Sequence, residues 1–172
     1  MKLFRTLTAL AIVFAFSGVS QLAAEPSMKT RGGGASPVLS FGFSASVNDA
    51  ALALDKRDWK KGVALARSVL NSTTVATASV PLAYNNMCIG LTFMQQSEDA
   101  MEYCNKAVEG RPRQWQFYNN RAIAHFYLGD YDRSLADYYM AMMFGRGQAL
   151  LLENIHLTLK ARKAAAPRDG ST

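Results

Sequence analysis

From residue 47 onward, apolar side chains recur at helical rather than strand spacing. Tyr84, Met87, Cys88 and Leu91 fall at i, i+3, i+4 and i+7, which places them on one face of a helix. Ala100, Cys104 and Ala107 mark the face of a second helix, and Pro112 closes that segment. Tyr118, Ala122 and His125 repeat the first pattern, and Ser134, Tyr138 and Ala141 repeat the second. Between these two, Leu128-Gly129-Asp130-Tyr131 reads as a turn. Gly129 suits a helix C-terminus, and Asp130 caps the helix that follows. Earlier in the chain, residues 47–55 (VNDAALALD) and 59–70 (WKKGVALARSVL) predict another helix pair, with Asp58-Trp59 standing where Asp130-Tyr131 stands later. Residues 148–162 predict one more amphipathic helix through Leu150, Leu151, Ile155, Leu157 and Leu159. With few β-branched runs, the pattern is that of an all-α chain.

The segments are also copies of one another. Tyr84-Asn85-Asn86 returns as Tyr118-Asn119-Asn120, 34 residues later. Small residues stand where two helices of a pair must approach: Cys88 and Ala100 in one copy, Ala122 and Ser134 in the other. On these residues the chain resembles the tetratricopeptide-repeat (TPR) family, whose period is about 34 residues. Its motif pairs an aromatic, Leu-Gly and Tyr on one helix with Ala and an aromatic on the next. Arg121, Cys104, His125 and Arg146 depart from it where Leu, an aromatic, Tyr and Pro are usual. The resemblance implies a short α-solenoid of about three helix pairs plus a C-terminal capping helix over residues 47–160, strongest over 81–114 and 115–148. The first pair is offset by four extra residues in the polar linker of residues 71–78.

The ends read differently. Lys2 and Arg5 precede the apolar run of residues 7–16 (LTALAIVFAF) and then small and polar residues, the layout of a secretory signal peptide over residues 1–24. Cleavage fits after residue 20 or after residue 24, and an uncleaved anchor is the alternative. The run is short of the ~20 residues that span a bilayer. Residues 25–46, rich in Gly, Ser and Pro, predict a flexible leader, and residues 161–172 a basic disordered tail. These features imply an exported protein of the periplasm, or a secreted one, with no stable membrane insertion once the signal is removed.

Composition narrows the function. Apolar residues make up 49% of the chain, enough to build a core. Removing Lys2 and Arg5 leaves 17 basic residues against 13 acidic ones, a mature charge of +4. That charge is mild, and export argues against a nucleic-acid partner. Gly32 to Gly34 lack the Lys-Ser or Lys-Thr of a phosphate loop, and His125 and His156 lack a metal-binding spacing. No nucleophile elbow occurs. The reading is a non-enzyme with no cofactor and no metal. Asn71-Ser72-Thr73 is a glycosylation sequon, relevant only in a eukaryotic secretory route. Cys88 and Cys104 fall on inward positions of one pair. In an oxidising compartment they favour a disulfide, against the alternative of two reduced core thiols.

What remains is a surface. The resemblance implies that the first helix of each pair lines a concave groove holding a peptide or protein. Here it would present Asn85, Ile89, Thr92 and Phe93 from one pair and Asn119, Ile123, Phe126 and Tyr127 from the other, with Asn86 and Asn120 adjoining. Asparagine carries a donor and an acceptor and can pair with any peptide backbone. The same asparagines could instead join neighbouring helices. A clamp for a C-terminal carboxylate is disfavoured, because the comparable places hold Asn85, Gln116 and Asn120, and Arg121 is the nearest cation. The leading function is a protein- or peptide-binding adaptor of the envelope. The alternatives are a homo-oligomer or assembly subunit using Tyr138, Tyr139 and the C-terminal helix, and a regulatory partner of an envelope enzyme.

Overall fold

A computed structural model describes residues 45–166. Among them are seven α-helices and no strand: α1 (Ala45–Asp55), α2 (Trp59–Asn71), α3 (Val80–Phe93), α4 (Ser97–Gly110), α5 (Trp115–Tyr127), α6 (Tyr131–Phe144) and α7 (Ala149–Ala165). α1 with α2, α3 with α4, and α5 with α6 pack as pairs; the pairs stack in chain order and α7 closes the stack against α6. This is a short α-solenoid with a terminal cap.

Three-residue turns join the helices within each pair, which forces them antiparallel. All three turns close the same way. Asp58, Gln96 and Asp130 donate their N–H groups to the carbonyls of Ala53, Leu91 and His125, each at 2.9 Å. The residue before each donor is left-handed: Arg57 and Gln95 at φ 60°, Gly129 at φ 76°. This is the helix-ending bond pattern that frees the chain to reverse. Asp58 and Asp130 then accept from the N–H groups of Lys61 and Arg133 and cap α2 and α6. Between pairs the connectors are residues 72–79, 111–114 and 145–148. The first is longer and holds a 3-10 turn, Thr77–Ser79. It absorbs the four residues that put the first pair out of register.

Close packing follows from small residues at the crossings. Ala50, Ala66, Cys88, Ala100, Cys104, Ala122, Ser134 and Ala141 are fully buried. A Cβ on Gly62 would collide with Leu54 of α1, and one on Gly90 with Val63 of α2. The larger core members Phe117, Ile123, Phe126, Leu135, Tyr138 and Leu151 gather between α5, α6 and α7. Burial holds the Tyr138 phenol neutral, well above its ordinary pKa.

Two boundaries differ from the sequence reading. The helix expected over residues 148–162 runs on to Ala165, so residues 161–165, assigned to the tail, are helical. Ala, Lys and Arg are strong helix formers, and Arg162 is held by Asp132 of α6 at 2.8 Å. α1 likewise begins at Ala45, inside the expected leader. The expected signal peptide and the rest of the leader and tail lie outside the described residues.

Candidate peptide-binding surface

The paired asparagines lie inside the stack. Asn85, Asn86, Asn119 and Asn120 are each at most 2% exposed. Asn120 Nδ2 donates to Asn85 Oδ1 at 2.8 Å and so joins α5 to α3. Asn119 Nδ2 donates to Asn120 Oδ1 at 3.2 Å. Asn154 Nδ2 of α7 donates to Asn119 Oδ1 at 3.1 Å. Asn86 Nδ2 donates to the Val47 carbonyl of α1 at 3.2 Å. One ladder of amides therefore runs from the first helix of each pair to the next. An amide buried without a partner costs about 1–3 kcal/mol, and reciprocal pairing removes that cost.

The expectation that Asn85, Asn86, Asn119 and Asn120 offer free amides to a peptide backbone is therefore corrected: neighbouring helices engage them first. Ile89, Ile123 and Phe126 are buried as well, and Thr92 returns its hydroxyl to the Cys88 carbonyl at 2.7 Å. Two members of the expected set keep access to solvent, the half-buried Phe93 and Tyr127.

These two belong to a row of rings along the edge where the within-pair turns lie. The Trp59 and Phe93 rings stack with centroids 4.8 Å apart. Phe93 meets Tyr127 edge-on at 5.9 Å. Tyr127 meets Phe126 at 5.7 Å, and Phe126 meets Tyr131 at 5.6 Å. Trp59, Phe93, Tyr127 and Tyr131 are all half-buried, and they come from all three pairs. The row offers rigid apolar area with few rotatable bonds, the property that makes aromatic residues effective binding anchors.

Arg121 points elsewhere. Its Nε and Nη2 grip both oxygens of the buried Asp137 at 2.8 and 2.7 Å, and Nη1 reaches Asn105 at 3.0 Å. The Asp137 carboxylate holds this guanidinium firmly charged. His125 Nε2 lies 3.9 Å from the same carboxylate. Burial nevertheless pushes its pKa below the ordinary value, Asp137 pulling more weakly the other way. Cys88 and Cys104 are bonded, with Cα atoms 4.8 Å apart, stapling α3 to α4. A loop of that size is worth ~3 kcal/mol in the chain-entropy account. Among the described residues no group of His, Cys, Asp and Glu could hold a metal ion, and no helix is long and apolar enough to cross a membrane.

The stack of helix pairs recurs in known structures. The first TPR domain of Spaghetti (RPAP3), solved with the HSP90 peptide SRMEEVD, matches 67% of this chain and 89% of that one, at 13% identity and TM-score 0.58. The first TPR domain of human RPAP3 matches 70% and 94%, at 12% identity and TM-score 0.61. The TPR domain of Sgt2 from Aspergillus fumigatus matches 74% and 86%, at 18% identity and TM-score 0.59. The chain has the TPR fold. No protein-family model matches the sequence, and no curated protein matches it.

Within this TPR fold the sequence reading missed Asn154, Trp59 and Tyr131 as partners of the residues it chose. Asn154 stands 34 residues after Asn120, as Asn120 does after Asn86, on the same 34-residue echo. Continuing that echo into α7 was the available signal. Trp59 and Tyr131 sit at helix starts, where no helical face marks them.

Proposed function

We propose that this chain is a non-catalytic protein-binding adaptor of the periplasm or cell envelope, and that it takes an extended peptide segment against its turn-edge aromatic row. The observation that carries the reading is the half-exposed run of Trp59, Phe93, Tyr127 and Tyr131 across three stacked TPR-type pairs. The solved neighbour bound to SRMEEVD shows that the fold accepts a peptide. An acidic tail of that kind is disfavoured here, because Arg121 is committed to Asp137 and the inner asparagines are committed to each other. The partner segment is instead one with aliphatic or aromatic side chains. Export rests on the signal-like N-terminus, and the bonded Cys88 and Cys104 suit an oxidising compartment.

The test is peptide selection from a displayed library, followed by titration of the selected peptides. Selected peptides are apolar or aromatic, and Phe93→Ser/Tyr127→Ser weakens them about tenfold or more while circular dichroism stays helical. Selection of acidic C-terminal tails, or unchanged affinity in the variant, overturns the reading. N-terminal sequencing of the protein from fractionated cells tests export separately: an intact Met1 in the cytoplasmic fraction refutes it.

A further inference from the structure

α7 continues the stack as the first helix of a fourth pair whose second member is not among the described residues. Asn154 takes the ladder position of Asn120, 34 residues earlier, donating to Asn119 as Asn120 donates to Asn85. In the same register Leu152 and Leu159 correspond to Tyr118 and His125 of α5, which are 7% and 8% exposed. In α7 the equivalents are open, Leu152 at 59% and Leu159 at 38%. α6, which follows α5, covers these two, with Phe144 against Tyr118 and Asp137 against His125, and no helix among the described residues follows α7 to cover the corresponding face. Tyr139, Met142 and Met143 of the adjoining α6 are also exposed. Of the six large apolar side chains that are exposed among the described residues, only Leu52 lies elsewhere.

We propose that this end is the interface of a two-fold homodimer in which α7 packs antiparallel on α7 of a second copy. The pattern of α7 is self-complementary in that orientation. Leu152 meets Leu159 of the other copy on both sides of a centre at His156. The helix carries Glu153 in its first half and Lys160 and Lys163 in its second, so reversal sets acid against base. A parallel arrangement would set like against like. A two-fold contact also closes on itself and buries the patch without opening a filament. The surface is separate from the aromatic row, so the dimer and the peptide-binding reading stand or fall independently.

Sedimentation of the purified full chain across the micromolar range tests the proposal. The wild type sediments as a dimer, and Leu152→Glu/Leu159→Glu as a monomer with unchanged helical content and peptide binding. Glu153→Lys and Lys160→Glu each weaken the dimer, and the two together restore it. His156→Cys, placed at the dyad, gives a disulfide-linked dimer under mild oxidation, whereas Gln148→Cys does not. A wild-type monomer at every concentration overturns the proposal. So does a dimer that survives the double glutamate variant, an open-ended series of oligomers, or a charge swap that fails to restore association.

Discussion

Arg57, Gln95 and Gly129 end the first helices of the three pairs in the left-handed region, and only the third is glycine. A side chain there costs about 1–2 kcal/mol, partly offset because glycine is looser in the unfolded chain. The next residue caps the following helix, and here Gln96 stands between two aspartates without a side-chain capping bond. Gln95→Gly/Gln96→Asp brings the middle turn to the chemistry of the third. The double variant gains about 1–2 kcal/mol, read as a rise of about 3–6 °C in Tm. His125 gives a second residue-scale consequence. Its folded-state pKa lies below the unfolded value, so folding favours the neutral ring. The unfolded chain takes up that proton as pH falls through about 6.5, and stability falls with it. Urea midpoints at pH 8 and about pH 5.5 show the loss, and His125→Phe removes its share of the difference.

At the scale of the helix, the amide ladder sets how one pair sits on the next. Asn120→Ala strips a donor from Asn85 and an acceptor from Asn119 at once, both buried. The loss is about 2–4 kcal/mol, measured by urea denaturation, with the isolated peptide of α5 no less helical than before. The helices themselves were legible because apolar spacing and turn residues are local signals, and Gly129-Asp130 and Asp58-Trp59 fell where the turns are. The binding face was less legible. An asparagine on the first helix of a pair offers the same atoms to a ligand or to the next helix, and only the closeness of α3, α5 and α7 decides. Phe93 and Tyr127 were named for a groove and lie on the turn edge, where Phe93 stacks on Trp59 of another pair and meets Tyr127 edge-on. Likewise Arg121 lost its place in any anion clamp to Asp137, 16 residues away.

The whole molecule is a stack in which each unit leans on its neighbours, so its stability is a sum of units and junctions. α7 supplies the last junction: it donates to Asn119 through Asn154 and buries Leu151 and Ile155. Ending the chain before Ala149 leaves Asn119 Oδ1 and the Tyr138 side of α6 open. The truncated protein unfolds at lower urea and with a smaller m, since less surface is exposed on unfolding. Divergence at this scale also explains why no family model matches the sequence although the stack of helix pairs matches TPR domains. Cys104, Arg121, His125 and Arg146 replace the motif's signature residues, yet helix length, turn length and the small residues at crossings are kept.

The bond between Cys88 and Cys104 gives the chain a property visible only under tension. Drawn out from its ends, the oxidised molecule cannot extend the segment between the two sulfurs, a sequence separation of 16 residues. That segment hides roughly 5 nm of contour length. Force passes through the covalent link and bypasses the turn between α3 and α4, so the middle pair stays looped after the outer pairs have been pulled straight. Reduction releases the hidden length in one step, and a single stretched molecule thereby reports the redox state of its surroundings.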